Sequence, residues 1–168
     1  MKVGIVSDSH GRVRTLRRAV DLLVARGAEA IVHCGDFGSA AGIAPLGEAP
    51  VHAYAVPGNM DRRYLAELRH EAAAGGATFD LQAVEVPLGD GRFLAAVHGH
   101  NEQLLSDLVL GGRFAYVCHG HTHVADDRLV GSVRLICPGA LRSPRGRRDL
   151  TCALLDTESD RVEFLTVA

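Results

Sequence analysis

The 168-residue sequence lacks the features that mark several classes of protein. Its four cysteines contain no C-x-x-C pair, so neither a zinc ribbon nor a thioredoxin-like redox motif is supported. No stretch approaches the roughly 20 apolar residues of a membrane-spanning helix. The apolar run at residues 3–6 is also too short for the core of a signal peptide. We therefore expect a cytoplasmic protein that does not associate with membranes.

Neither sign of charge dominates. The 18 lysines and arginines nearly balance the 20 aspartates and glutamates, and the net charge is −2. Stable binding to nucleic acid usually needs a basic face, so we expect no stable nucleic-acid partner. Internal repeats, low-complexity tracts and linkers are absent from the sequence, and its length fits one domain. We expect residues 1–168 to form a single domain.

The cysteines all lie in or beside apolar runs: Cys34, Cys118, Cys137 and Cys152. We interpret them as small buried hydrophobic residues. Unpaired buried thiols are typical of a reducing compartment, which agrees with a cytoplasmic location.

Apolar patterns predict strands and helices whose order changes along the chain. The first half reads as strand, helix, strand, the pattern of a parallel βαβ unit. The second half is mostly strands, and Leu88-Gly89-Asp90-Gly91 is typical of a hairpin turn. The predicted strands are 3–6, 30–34, 51–56, 81–87, 92–97, 114–118, 126–130, 132–137, 150–156 and 162–167, and the predicted helices are 12–26, 64–74 and 101–110. This order favours an α/β fold of two packed sheets with helices outside.

Possible metal ligands follow five of these strands. In α/β sheets, functional groups collect at the carboxyl ends of strands, so we expect the five segments to meet in one crevice. The segments are Asp8-Ser9-His10, Gly35-Asp36, Gly58-Asn59-Met60-Asp61, His98-Gly99-His100 and His119-Gly120-His121-Thr122-His123. Asp8 and His10 stand two residues apart, as do His121 and His123. In an extended segment such residues point to the same side, so each pair could serve one centre.

The donor types and their number predict two metal ions. Carboxylate and amide oxygens together with imidazole suit manganese, iron or zinc better than calcium. Seven candidate ligands exceed one catalytic site but fit two divalent ions about 3.5–4 Å apart. Such a pair lowers the pKa of a bound water and neutralises charge during in-line displacement at phosphorus. We expect manganese, with iron, nickel or zinc as alternatives.

Taken in order, the five segments resemble the calcineurin-like metallophosphoesterase superfamily, and in particular its small prokaryotic phosphodiesterase branch. The resemblance runs from Asp8 to His123, and Cys137-Pro138-Gly139 is similar as well. It implies a four-layer α/β/β/α sandwich, with two mixed sheets flanked by helices. It also implies one metal ion held by Asp8, His10 and His123, a second held by Asn59, His98 and His121, and Asp36 as the bridge between them.

One position departs from the superfamily pattern. A histidine that is thought to help protonate the leaving group commonly follows the Gly-Asn pair, but here Met60 stands there. A thioether cannot donate a proton at neutral pH. We consider His100 as a substitute that could reach the substrate, and Asp61 as a partner that could orient His98 or another ligand. Asn59 and His98 would lie close to the developing charge.

Each motif alone has a structural explanation, since aspartate and asparagine are common in turns and caps. Their joint occurrence in order is what argues for a site. We exclude His33, His52, His70 and His119: the first and last lie in or beside apolar runs, and the other two read as surface residues. The arginine-rich segment 142–148 reads as a solvated loop, although its guanidinium groups could bind a substrate phosphate.

These observations predict a metal-dependent phosphodiesterase that uses a metal-activated water on a small phosphoester. A phosphomonoesterase or cyclic-nucleotide phosphodiesterase of the same fold is an alternative, because the same ligands would serve. A non-catalytic metal-binding scaffold is another, as in one eukaryotic retromer subunit that resembles the same branch. Such a scaffold is expected to lose ligands, and every ligand position is kept here. The resemblance further implies a homo-oligomer.

Overall fold

Two β-sheets pack face to face in the computed structural model, which describes residues 1–143 and 149–168. Most of the predicted arginine-rich loop, residues 144–148, lies outside the described residues. The first sheet has six strands in the order β11-β10-β1-β2-β3-β4. Its strands are β1 Lys2–Val6, β2 Ala30–His33, β3 His52–Ala55, β4 Thr78–Phe79, β10 Thr151–Asp156 and β11 Arg161–Thr166. Strands β1 to β4 run parallel, whereas β10 and β11 join as an antiparallel extension.

The second sheet has five strands in the order β5-β6-β7-β9-β8. They are β5 Val84–Pro87, β6 Phe93–Ala96, β7 Tyr116–Cys118, β8 Ala125–Val130 and β9 Val133–Pro138. The predicted hairpin is confirmed, since β5 and β6 pair antiparallel across residues 88–92. A second hairpin joins β8 to β9, and Gly131 adopts a positive φ of 62° in its turn. Strands β6, β7 and β9 are parallel neighbours.

Helices cover the outer face of each sheet. Helices α1 Val13–Ala25, α2 Ala44–Gly47 and α3 Leu65–Ala74 belong to the first sheet, together with 3₁₀ turns at Ala40–Ile43 and Asn59–Tyr64. Helix α4 Glu102–Leu110 packs on the second sheet, and the side chain of Asn101 caps it by accepting the backbone N–H of Leu104 at 3.1 Å. A third apolar cluster fills the space between the sheets. The four-layer α/β/β/α sandwich is confirmed.

The central strands bury side chains on both faces of the sheet, because each sheet is covered on both faces. On β1, Val3 and Ile5 point between the sheets, whereas Val6 belongs to the layer under α1. All four cysteines are buried and free, as expected. Burial raises the pKa of Cys152 to about 12, so this thiol stays protonated at neutral pH. Among the described residues, no helix is both long and apolar enough to cross a membrane.

The chain order does not match sheet membership. The strand-rich second half contributes β5 to β9 to the second sheet, but β10 and β11 return to the first, where β10 pairs with β1. The two-residue strand β4 and the four-residue helix α2 were not predicted, because each is too short to show a hydrophobic period. The crossover of β10 places the chain's last strands beside its first, at the sheet that carries three of the ligand-bearing loops.

Candidate metal centre

Five loops meet at one end of the two sheets. Three follow β1, β2 and β3 of the first sheet, and two follow β6 and β7 of the second. The crevice therefore lies between two sheets, at the carboxyl ends of parallel strands, where β-sheet proteins commonly bind ligands. Backbone hydrogen bonds tie the loops to each other. Asp8 N–H donates to the Gly35 carbonyl oxygen at 3.0 Å, and Gly120 N–H donates to the His98 carbonyl oxygen at 3.0 Å.

The backbone at the ligand positions is left-handed, not extended. Positive φ values occur at Asp8 (55°), His10 (44°), Asp36 (60°), His121 (68°) and His123 (59°). Only Asp160 shares this conformation among the other described non-glycine residues. The sequence analysis assumed an extended backbone at the paired ligand positions, and that assumption was wrong. Left-handed non-glycine residues cost about 1–2 kcal/mol each and cluster at functional sites, so five of them at one crevice favour a site here.

A first group of donor atoms consists of Asp8, His10 and His123. Asp8 Oδ1 lies 3.0 Å from His123 Nε2 and 3.6 Å from His10 Nε2. The two imidazole Nε2 atoms are 3.4 Å apart. The other oxygen of Asp8 accepts the Ser7 hydroxyl at 2.6 Å and the His121 backbone N–H at 3.0 Å, so the carboxylate is held from both sides.

Asp8 is fully buried yet ready to carry its charge. Burial by itself raises the pKa of its carboxyl group, but the contacts with His10 and Ser7, together with the electrostatic effect of His98 and His123, outweigh burial and leave the pKa below its usual value. The Ser7 contact was missed in the sequence, where a serine before an aspartate gives no signal of its own.

A second group contains Asp8, Asp36 and His98. Asp36 Oδ2 lies 3.6 Å from His98 Nε2 and 3.8 Å from His10 Nε2, so this one oxygen faces both groups. Its other oxygen accepts the Met60 backbone N–H at 2.9 Å. Asn59 Oδ1 lies 3.0 Å from His98 Nε2. Asn59 therefore reaches the second group from the loop after β3.

The tautomer of His98 follows from its surroundings. Its Nδ1 lies 2.8 Å from the Cys34 carbonyl oxygen, which can only accept, so Nδ1 carries the hydrogen and donates it. In the neutral imidazole Nε2 is then a bare lone pair. That lone pair faces the Asp36 carboxylate, another acceptor, at 3.6 Å. Two buried acceptors turned toward each other repel, and a cation between them removes the conflict.

The spacing of the donor atoms fits divalent metal ions. With metal–ligand bonds of about 2.0–2.2 Å, neighbouring donor atoms around one ion lie about 3–3.6 Å apart. The separations given above within each of the two groups run from 3.0 Å to 3.6 Å. Carboxylate and imidazole donors are also the types that manganese, iron and zinc accept. The residues present therefore fit the cofactor that the resemblance implies.

His121 and His100 lie on the rim of the second group. The ring centroid of His121 is 5.1 Å from that of His98, and the His100 centroid is 5.4 Å from His98 and 6.3 Å from His121. His123, in contrast, contacts Asp8 in the first group. His121 and His123 therefore face different groups, and the expectation from spacing that they serve one centre was wrong. Partial burial and the nearby rings of His98 and His121 lower the pKa of His100.

Asp61 holds the loops in place and does not orient a histidine. Its carboxylate accepts three backbone N–H groups, from Phe37 at 3.0 Å, Gly38 at 2.8 Å and Gly58 at 2.8 Å. Within the described parts of the chain, Asp61 forms no hydrogen bond with His98. Asp61 is therefore not a hydrogen-bond partner of His98, whereas the alternative that it orients another ligand stays a prediction, which these contacts support. The side chain joins the loop of Asp36 to the loop of Asn59, so it positions both ligands through the backbone.

Two glycines allow the ligand loops to approach closely. A Cβ atom on Gly58 would lie 2.0 Å from Asp36 Oδ1, and one on Gly120 would lie 2.6 Å from Asp8 Oδ2. No side chain fits at these distances. The glycines beside the candidate ligands are thus required by the packing of the two carboxylates.

His33 is a buried histidine that connects two ligand loops. Its Nδ1 accepts the Gly35 N–H at 3.0 Å, its Nε2 lies 3.2 Å from Ser9 Oγ, and its ring stacks on Phe37 at 3.8 Å. Burial lowers the pKa of His33 to about 3, so the ring is neutral at pH 7. His33 and His119 are buried and His52 and His70 are exposed, as expected. The connection to both loops was not predicted.

A His33→Leu variant is expected to lose about 1–3 kcal/mol of unfolding free energy, because it leaves the buried Gly35 N–H and Ser9 hydroxyl unpaired. Urea unfolding of the metal-free protein measures this loss. His52→Leu, at an exposed histidine of β3, is the matched control and should change stability by no more than about 0.5 kcal/mol. Equal losses in the two variants would show that the His33 hydrogen bonds do not stabilise the loops.

Comparisons with known proteins agree with this geometry. Residues 1–160 match the sequence profile of the calcineurin-like phosphoesterase superfamily domain. The chain is 31% identical to phosphodiesterase MJ0936 of Methanocaldococcus jannaschii over 141 residues, 83% of each protein. It is 28% identical to the probable metallophosphoesterase YsnB of Bacillus subtilis over 170 residues, which covers 95% of this chain and 86% of that protein.

Solved structures agree as well. The structure of an archaeal phosphodiesterase superposes with a TM-score of 0.86 at 27% sequence identity, and the match covers 99% of both chains. The superfamily profile covers nearly the whole chain, and a relative above 30% identity covers most of it. The chain therefore belongs to the calcineurin-like phosphoesterase superfamily and is a metallophosphoesterase, a hydrolase that acts on phosphoric esters.

Proposed function

We propose that the chain hydrolyses phosphodiesters and that seven of its side chains hold two divalent metal ions. The first ion would be held by Asp8, His10 and His123, the second by Asn59, His98 and His121, and Asp36 would bridge them. One observation carries this proposal. Asp36 Oδ2 lies 3.8 Å from His10 Nε2 and 3.6 Å from His98 Nε2, so a single carboxylate oxygen faces both donor groups.

When bound, two such ions lower the pKa of a water and neutralise charge on the phosphoryl oxygens. The side chains and backbone of the protein supply the charge, the ligand geometry and the space for these ions. Asp8 and Asp36 bring two negative charges into a buried site. The Cys34 carbonyl oxygen keeps the hydrogen on Nδ1 of His98 and so leaves Nε2 free to act as a ligand. Gly58 and Gly120 let both carboxylates sit against the neighbouring loops.

Hydrolysis forms a bond between a water oxygen and phosphorus and breaks the ester bond to the leaving oxygen. That oxygen must gain a proton, which Met60 cannot donate. We propose that solvent water supplies the proton, so Met60, which is 58% exposed at the rim, takes no part in this step. We therefore expect a preference for esters with good leaving groups. His100, exposed beside His98, is proposed to contact the substrate and not to bind metal.

The diester preference is supported by the name phosphodiesterase, which both the sequence relative and the archaeal protein of the superposed structure carry. Manganese is the proposed metal, because mixed carboxylate, amide and imidazole donors suit it. A reducing compartment such as the cytoplasm is proposed from the four buried free thiols. We also propose that residues 1–168 form one domain, that the substrate is a small phosphoester and that the chain self-associates.

We expect metal-stripped protein to have no activity. The experiment then adds back manganese, nickel, zinc or magnesium in turn. We expect turnover of bis(p-nitrophenyl) phosphate to return with manganese and to exceed turnover of p-nitrophenyl phosphate by about tenfold or more in kcat/KM, a difference of 1.4 kcal/mol. A larger rate on the monoester would favour a phosphomonoesterase. Tight metal binding without turnover of either ester would contradict the enzyme and support a scaffold.

A further inference from the structure

A separate pocket opens beside the candidate metal centre. It has a volume of about 280 Å³ and is lined by His10, Gly38, Met60, Arg63, Tyr64 and Arg142. His10 is one of the first group of donor atoms, so the pocket shares a wall with that group. A molecule whose phosphorus lies at the metal centre could therefore extend into this space. We call it the Arg63–Arg142 pocket.

Two arginines line this pocket, Arg63 and Arg142. Both are exposed, and neither forms an ion pair or a hydrogen bond with another described residue. Some arginines elsewhere on the surface are paired with a carboxylate: Arg17, Arg26 and Arg113 contact Glu48, Glu163 and Glu85. Unpaired guanidinium groups at the mouth of a cleft attract anions and bind phosphate oxygens with two parallel hydrogen bonds.

Two further lining residues, Met60 and Tyr64, offer apolar and aromatic surface. Met60 is 58% exposed although it is a large hydrophobic residue, and the half-buried ring of Tyr64 is anchored by the apolar cluster under α1 and α3. A methionine side chain adapts its shape and packs well against ring systems. Small-molecule sites combine apolar or aromatic side chains with a few placed polar groups. The pocket therefore suits an organic group that carries an anion.

We propose that the Arg63–Arg142 pocket binds the organic group of the substrate, with Met60 and Tyr64 against its ring system and the two arginines on a second phosphate. The substrate class is then a phosphodiester whose organic group carries a further phosphate, such as a phosphorylated nucleoside. This proposal rests on the proposed phosphodiesterase function and makes it more specific. It also gives Met60 a role in binding, at the position where a histidine is common in the superfamily.

A matched pair of chromogenic esters tests this. One is thymidine 5′-(p-nitrophenyl phosphate), and the other is the same ester with a phosphate on the 3′ oxygen. We expect kcat/KM to be about tenfold higher for the 3′-phosphorylated ester, which corresponds to 1.4 kcal/mol. In the Arg63→Gln/Arg142→Gln double variant, the ratio of the two kcat/KM values should fall to about one. High salt should lower the ratio for the unaltered protein as well.

Arg26→Gln/Arg113→Gln is the control, because it removes the same number of arginines far from the site and should keep the ratio. Inhibition gives a second readout: thymidine 3′,5′-bisphosphate should inhibit more strongly than thymidine 5′-monophosphate, and the double variant should lose the difference. Equal kcat/KM for the two esters, or a preference that survives in the double variant, would overturn the pocket assignment alone. Turnover of neither ester with any metal would overturn the proposed function and this assignment with it.

Discussion

An Asp36→Asn variant is expected to lose phosphodiester turnover by about 100-fold or more, because loss of a ligand should exceed the 10–100-fold effect of losing a ligand's hydrogen-bond partner. Asp36 Oδ1 accepts the Met60 N–H at 2.9 Å. In the variant, the amide oxygen keeps this bond, and the NH₂ group takes the place of Oδ2. The group that faces His10 and His98 is then a donor, which cannot bind a cation.

Turnover and bound metal should be measured together for Asp36→Asn, at matched protein concentration. We expect the metal content to fall by at least one ion per chain. Unfolding of the metal-free variant should change little, because the NH₂ group can donate to the imidazole lone pairs at this place. Asp107→Asn, at an exposed carboxylate on α4 that accepts a hydrogen bond from Gln103 at 2.8 Å, is the matched control and should keep full turnover. Full turnover with Asp36→Asn would exclude the bridging role.

A Gly58→Ala variant is expected to have a comparably large effect by a steric route. An added Cβ would lie 2.0 Å from Asp36 Oδ1 and 2.4 Å from the Asp36 backbone nitrogen. Because one contact is with backbone, the loops of Asp36 and Asn59 must move apart. Overpacking of this kind costs about 1–3 kcal/mol or more. Displacing both ligands by even 1 Å can lower the catalytic rate by about 100-fold.

Gly76→Ala is the matched control for Gly58→Ala. A Cβ on Gly76 would meet no atom within 4 Å, although φ is +73° there. The control should therefore lose about 1–2 kcal/mol of unfolding free energy from backbone strain and keep its turnover. Unfolding in urea and steady-state kinetics on both variants separate the two effects. If Gly58→Ala resembled Gly76→Ala in both measurements, close packing at Asp36 would not matter for the site.

Much of the fold could be predicted because most elements are long enough to show a period. The predicted helix 12–26 became Val13–Ala25, and the predicted strand 150–156 became Thr151–Asp156. The neighbour of a strand in the sheet could not be predicted in this way. The apolar pattern of Thr151–Asp156 predicts a strand but does not specify its neighbour, which is β1 of the first sheet. Pairing depends on contacts between residues about 150 positions apart, which a local pattern does not record.

The site could be predicted only as a set of residues. Aspartate, asparagine and histidine after successive strands marked the crevice, but the direction of each side chain depends on backbone angles that residue type does not specify. His121 and His123 show this, since left-handed φ values at both positions turn their rings toward different groups. Asp61 shows it too. Its residue type suits a partner for an imidazole, but its place in the Asn59–Tyr64 turn points it at three backbone N–H groups.

The sequence alone determined the α/β class, the buried cysteines and the set of polar residues that follow the strands, because hydrophobic period and local order are properties of neighbouring residues. Only the tertiary structure decided which sheet each strand joins, which donor atoms share a group, and that Asp36 Oδ2 faces both groups. It also brought Arg63 and Arg142 to one pocket beside His10. All of these features depend on distances between segments that are far apart in the chain, and those distances are set only when the chain has folded and the two sheets have packed.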